Sequence, residues 1–173
     1  MAQPRRQPTG SPRAAILGFL LRCVAYWSVA LFAVSRLPVI EETGIRLTLG
    51  TLQLAYRAIG QDVVRSGNLL IAGGTSVSIV SDCSPHVPFL IFAAVVLAFP
   101  TSWRQRALGI VAGGLVIHVF NTIRIMALIG VLIWRPQWFE FAHVYLWQTG
   151  TVLVLFGTFA LWMQTMKPRL RST

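Results

Sequence analysis

The chain has 173 residues, of which 55% are hydrophobic and only 12% are charged, and its formal net charge is +10. A soluble domain usually carries about twice that share of charged residues, so the composition argues against a soluble protein. The basic residues stand at the ends of long apolar runs, where they act as topology signals. A nucleic-acid-binding face is therefore not expected.

The N-terminal segment is predicted to be a short tail followed by a first membrane span. Residues 1–13 are rich in Pro, Gln and Arg, which is typical of a disordered cytoplasmic segment. The apolar run over residues 14–34 has the length of about 20 residues that a membrane helix needs. Because this run is long for the core of a signal peptide, an uncleaved span is favoured.

An amphipathic helix is predicted between the first and second spans. Apolar side chains recur there at helical spacing, at Leu49, Leu52, Tyr56 and Ile59. Such a helix would lie in the membrane interface on the extracytoplasmic side, or it would be a short re-entrant or ordinary loop helix; the sequence does not separate these alternatives.

A short β-hairpin is predicted to follow this helix. Gly73 and Gly74 separate two β-prone runs, and adjacent glycines are a hairpin signal. The hairpin would present Cys83 on a constrained backbone, and an extended strand there would turn Asp82 away from it.

Three further apolar runs cover residues 85–99, 107–134 and 143–166. We therefore expect an all-α integral membrane protein of about four transmembrane helices, with the amphipathic helix and hairpin before the second span. Residues 14–166 would form one membrane-embedded domain, and residues 167–173 a basic cytoplasmic tail. The bias of positive charge places both termini of this multi-pass membrane protein in the cytoplasm.

A polar stripe is predicted on the third span. His118, Asn121 and Arg124 follow an i, i+3, i+6 pattern, so they should share the face that points into the bundle. An arginine at the centre of a membrane helix costs about 2.5–3.5 kcal/mol on insertion scales, and intramembrane charge is usually functional.

Cys83 is the candidate nucleophile, since it stands at the mouth of the second span. Arg124 would stabilise its thiolate or hold the oxyanion of a tetrahedral intermediate. His143, which opens the last span on the same side of the membrane, would act as general base and acid. No carboxylate lies on the polar stripe, so a Cys–His–Asp triad is not evident.

Two other histidines compete for the role of base. His86 is the alternative to His143, provided that the second helix starts at Ser84, whereas His118 lies deeper and is more typical of a structural residue. The spacing of Cys83 and the three histidines matches no compact zinc signature, so neither a metal nor a cofactor is expected.

These residues resemble a known family, the exosortase/archaeosortase family of membrane-embedded cysteine transpeptidases. The resemblance covers about residues 65–165. It rests on Cys83-Ser84 before one span, on Asn121-x-x-Arg124 within the next, and on His143 at the start of the last. The chain departs from the family after Cys83-Ser84, where a glycine is common, and it looks like a compact subtype.

The resemblance implies a function at the extracytoplasmic face. The substrates would be membrane-anchored proteins with a C-terminal sorting signal, which consists of a motif, a transmembrane helix and a basic tail. Cys83 would form a thioester, Arg124 would stabilise the transition state and His143 would transfer protons, with a lipid or glycan as acceptor. Glycines on the last two spans would let a substrate helix, or another helix of the bundle, approach closely: Gly109, Gly113, Gly114, Gly150 and Gly157.

A non-enzymatic membrane protein is the alternative, such as a transporter subunit or an assembly factor. In that case Arg124 and His118 would line a polar path or hold a partner helix, and Cys83 would be dispensable.

Overall fold

The computed structural model describes residues 12–166, which form a mostly helical protein with one small sheet. The helices and strands are α1 (Pro12–Arg36), α2 (Pro38–Ala58), β1 (Val63–Ser66), β2 (Leu69–Ala72), β3 (Thr75–Ser78), α3 (His86–Ala98), α4 (Trp103–Trp134), α5 (Phe139–Phe141) and α6 (Trp147–Thr165). Short 3-10 turns occupy Ser81–Cys83 and Pro136–Trp138, and a π-helical segment occupies Ala142–Leu146. Most of the predicted N-terminal tail and the whole C-terminal tail lie outside the described residues.

Three segments are long and apolar enough to cross a membrane: Arg13–Arg36, Trp103–Trp134 and Pro136–Thr165. They confirm three of the four predicted spans as candidates. The remaining one, α3, is apolar but has only 13 residues, so it rises about 20 Å where a bilayer core measures about 30 Å.

Helix α3 packs against α1, α4 and α6. Glycines of α4 allow close contacts with α3 and α6, because aromatic rings of those helices lie directly on the glycines. A Cβ atom at Gly113 would come within 2.1 Å of the Phe92 ring, and one at Gly109 within 2.3 Å of Trp162. These glycines therefore serve packing inside the bundle.

A second core joins α2, the sheet and the C-terminal half of α4; we call it the α2–sheet core. Its buried members are Ile45, Leu49, Leu52, Tyr56, Leu70, Ala72, Ile79, Ile125 and Ile129. The predicted amphipathic face of α2 is confirmed at three of its four positions. The fourth, Ile59, is exposed because the helix ends at Ala58.

The sheet has three antiparallel strands in the order β1-β2-β3, where a two-stranded hairpin was predicted. The hairpin around Gly73 and Gly74 is present, and both glycines have positive φ, as a tight two-residue turn requires. The additional strand, β1, pairs with β2 through a turn that contains Gly67, which also has positive φ. Leu70 and Ala72 of β2 face the core, so the sheet lies on α2.

Candidate active site

Cys83 lies in a short 3-10 turn between the sheet and α3. Its backbone N–H donates to the carbonyl of Val80 at 3.0 Å, and the N–H of Ser84 donates to Ser81 at 2.9 Å. The expectation of an extended strand through this segment was wrong, because β3 ends at Ser78 and the chain then tightens into the turn. Cys83 is half-buried and packs against the α2–sheet core.

Asn121 ties this turn to α4. Its side chain is only 4% exposed, and its Nδ2 atom donates a 2.8 Å hydrogen bond to the backbone carbonyl of Cys83. A buried amide to carbonyl bond contributes about 0.5–1.5 kcal/mol net, and losing one partner costs about 1–3 kcal/mol. The turn that carries Cys83 is therefore fixed to α4 by one buried side chain.

Arg124 lies one turn further along α4 on the same face. Its Nη1 atom is 3.5 Å from the Oδ1 atom of Asn121. The buried Nε atom of Arg124 has no hydrogen-bond partner. An unpaired buried donor is uncommon, and the Nε atom of Arg106 near the start of α4 is a second case among the described residues.

His143 lies in the π-helical segment that precedes α6 and packs on α4. Its ring stacks on Phe139 with centroids 5.5 Å apart, and within residues 12–166 no hydrogen bond connects it to Cys83. Contacts of Gly109 with Trp162 and of Gly150 with Phe120 fix α4 and α6 as antiparallel neighbours. Continuing this register places His143 within about one helical turn of the level of Arg124.

His86 is the first residue of α3, so the helix does not start at Ser84 as the alternative base required. Its Nδ1 atom is buried and has no hydrogen-bond partner. The neighbouring Ser84 is 4% exposed, and its hydroxyl is likewise unpartnered. Both side chains line a groove between α2, α3 and α4, whereas Cys83 packs against the α2–sheet core.

His118 takes part in a polar contact between α2 and α4. Its Nε2 atom is 3.2 Å from the hydroxyl of Thr51. That hydroxyl also donates toward carbonyls of its own helix, at Leu47 and Thr48. The Thr51 oxygen is therefore left to accept from the imidazole N–H, so His118 ties the two helices together.

Two features of the site had weak or no sequence signals. The π-helical segment around His143 has none that we can identify. Gly44, whose Cβ position would fall 2.6 Å from the Ser84 hydroxyl, was signalled only as a glycine inside a helix, which is unfavourable by about 1 kcal/mol. No group of three or more His, Cys, Asp or Glu side chains comes together as metal ligands in the described part of the chain.

No curated protein and no solved structure shows significant similarity to this chain. A family model described as transmembrane exosortase (Exosortase_EpsH) matches residues 14–163. This range contains Cys83, Asn121, Arg124 and His143, and it covers most of the chain. The chain therefore belongs to the transmembrane exosortase family.

Proposed function

We propose that this protein is a membrane-embedded cysteine protease/transpeptidase that cleaves the C-terminal sorting signal of exported proteins. Its substrates would carry a recognition motif, a transmembrane helix and a basic tail. The catalytic residues would be Cys83, Arg124 and His143, with Asn121 in support. The reaction would take place on the extracytoplasmic face of the inner (cytoplasmic) membrane.

One observation carries the proposal: Asn121 contacts both the Cys83 carbonyl and the Arg124 guanidinium. A single buried amide side chain thus contacts both the turn that carries the thiol and the cationic side chain. The buried Nε atom of Arg124 has no hydrogen-bond partner and could donate to a substrate oxygen. In the proposed mechanism the thiolate of Cys83 is the nucleophile, and Arg124 stabilises the negative charge that develops on the substrate during the attack.

In the first half of the reaction, the Cys83 Sγ atom attacks the carbonyl carbon of the scissile peptide bond. The carbonyl oxygen becomes an oxyanion, and the guanidinium of Arg124 stabilises this charge. Donors of this kind contribute a factor of about 10²–10³ to the rate. His143 gives a proton to the departing amine, so the C–N bond breaks and a thioester remains on Cys83.

In the second half, an acceptor nucleophile attacks the thioester carbonyl and transfers its proton to His143. The Cys83 sulfur leaves as a thiolate, and the acyl group passes to the acceptor, which would be a lipid, a glycan or water. The π-helical backbone at His143 supports this role, because π segments in helices occur frequently at functional sites. His143 is preferred to His86 as the base, because α3 starts at His86 rather than at Ser84 and the His86 side chain lines the neighbouring groove.

The proposal is tested by co-expression with a candidate substrate that carries the motif, helix and basic tail. We expect Cys83→Ala to abolish cleavage while the enzyme still accumulates in the membrane. The matched control is Cys23→Ala, which removes the only other cysteine, in α1, and should leave cleavage unchanged.

A thioester between Cys83 and the N-terminal part of the substrate should also be detectable as a hydroxylamine-sensitive adduct. Full cleavage by Cys83→Ala would remove the thiol from the mechanism. The transporter-subunit or assembly-factor alternative would then be preferred.

A further inference from the structure

A groove opens beside the turn that carries Cys83, between the N-terminal half of α2, the start of α3 and the N-terminal half of α4. Its cavity volume is about 420 Å³, within the range of about 300–1,000 Å³ that ligand pockets span. Most of its wall is apolar. Leu47 and Val111 line it and are 60% and 72% exposed, so the groove opens sideways toward the bilayer.

Two polar groups in this apolar wall lack hydrogen-bond partners. The Ser84 side chain is 96% buried, since it is only 4% exposed, and its hydroxyl has no partner. The Nδ1 atom of His86 is buried and unpartnered as well. Burying such groups without a hydrogen bond costs about 1–3 kcal/mol each. The groove is therefore complementary to an occupant that is apolar over most of its length and polar at the Ser84 end.

The groove runs from the nucleophile into the membrane. Ser84 follows Cys83 directly, and the α4 residues of the groove run from His118 back to Ile110. On α4 these positions lie before Asn121, which holds the Cys83 carbonyl. At 1.5 Å per residue, the groove thus extends about 12 Å along α4 from His118 toward its N-terminal end.

We propose that this groove receives the transmembrane helix of the sorting signal. The N-terminal end of that helix, which follows the scissile bond, would lie at Ser84 and His86. This inference rests on the proposed function, because it assumes that Cys83 attacks the substrate. The order of parts agrees: the motif would lie at Cys83 and the helix would descend along α4. Ser84 and His86 would bond the free backbone N–H groups at the first turn of the substrate helix.

Glycines on two walls of the groove let its own elements pack closely. A Cβ atom at Gly44 of α2 would lie 2.6 Å from the Ser84 hydroxyl, and one at Gly114 of α4 would lie 2.8 Å from the Phe89 ring. Small residues let helix backbones approach closely in membranes. A lipid acyl chain is the competing occupant, since it would also follow an apolar groove.

The occupant is identified by photo-crosslinking in the Cys83→Ala background, where the substrate stays intact. A benzoylphenylalanine replaces Val111 in the groove or, as the control, Phe156 of α6, which is 71% exposed and lies outside the groove. We expect a crosslink from position 111 to the substrate's transmembrane helix and none from position 156.

Crosslinks from position 111 to phospholipid only, or equal substrate crosslinks from both positions, would overturn the proposal. Failure of the groove assignment is separable from failure of the proposed function. If wild type cleaves the substrate through Cys83 and no crosslink forms at position 111, only the groove assignment is wrong. If Cys83→Ala cleaves normally, the enzyme assignment itself is wrong.

A pair of glycine variants on α2 provides a second readout. Gly44→Leu places a side chain against Ser84 at the end of the groove, where the Cβ position is 2.6 Å from the Ser84 hydroxyl, whereas Gly50→Leu adds the same side chain where a Cβ atom has no neighbour within 4 Å. We expect Gly44→Leu to lower both the crosslink at position 111 and the processing rate by about tenfold or more. Gly50→Leu should stay within about twofold of wild type, and equal behaviour of the two variants would contradict the proposal.

Discussion

Asn121 and Cys83 are joined by a 2.8 Å hydrogen bond from the Asn121 side chain to the Cys83 backbone carbonyl. This bond connects a membrane helix to the turn that carries the thiol, across 38 positions of sequence. Because Asn121 also contacts Arg124, a change at this amide should disturb the thiol and the cation together.

Asn121→Ala should lower the processing rate by about tenfold or more. The change leaves the buried Cys83 carbonyl unpaired, which costs about 1–3 kcal/mol. Asn121→Asp should be at least as harmful, because a carboxylate cannot donate to the carbonyl and would pair with Arg124. The measurement is the processing rate at matched enzyme levels in the membrane.

Thr122→Ala is the neighbouring control for Asn121. The Thr122 hydroxyl bonds to the carbonyl of His118 within its own helix, so its loss should leave the Cys83 turn in place. If the Thr122 variant lost as much activity as Asn121→Ala, a specific role of the Asn121 bond would be refuted.

Arg124→Lys should lose about 10²-fold or more in processing rate although the positive charge is kept. Lysine has no equivalent of the buried, unpartnered Nε donor, and an ammonium cannot reproduce the planar arrangement of guanidinium donors. Losing one oxyanion donor typically costs about 10²–10³ in rate.

Arg106→Lys serves as the matched change on the same helix. The Arg106 side chain donates to the carbonyl of Phe99 at 3.0 Å near the start of α4, far from the thiol, so this variant should process normally. Wild-type activity in Arg124→Lys would show that charge alone suffices and that the Nε donor is not needed.

Cys83 should react with a membrane-impermeant maleimide added to the extracytoplasmic side, whereas Cys23 should not. Cys83 lies in a turn outside the helices, and Cys23 is 11 residues into α1, about 16 Å from its first residue. The single-cysteine variants Cys23→Ala and Cys83→Ala separate the two signals in intact spheroplasts. Labelling of Cys83 only in inverted vesicles would reverse the proposed topology.

Much of the helical framework could be predicted from sequence, because apolar length and helical periodicity are local properties. Residues 107–134 were predicted as a span, and α4 covers them, starting earlier at a Ser102–Gln105 capping box. The polar stripe was also visible, since helical spacing alone places Asn121 and Arg124 on one face. Family membership was correctly expected from the order of Cys83, Arg124 and His143.

The remaining features depend on contacts between distant segments. Gly67-Asn68 is a turn signal that could have indicated β1, but the run Val63–Ser66 is short and only partly apolar. The hydrogen bond of Asn121 to Cys83 and the contact of Gly44 with Ser84 arise from tertiary packing, which no local pattern encodes. The groove beside Ser84 was missed for the same reason.

Gly113→Ala should destabilise the protein, whereas Gly130→Ala on the same helix should stabilise it slightly. Alanine is favoured over glycine inside a helix by about 0.5–1 kcal/mol, and at Gly130 nothing lies within 4 Å of the added Cβ atom. At Gly113 the Cβ atom would come within 2.1 Å of the Phe92 ring, and overpacking of this kind costs about 1–3 kcal/mol. Thermal unfolding of the two variants in detergent measures the difference. Equal midpoints would show that α3 can move away from α4, and the close contact of these helices would then not be needed for stability.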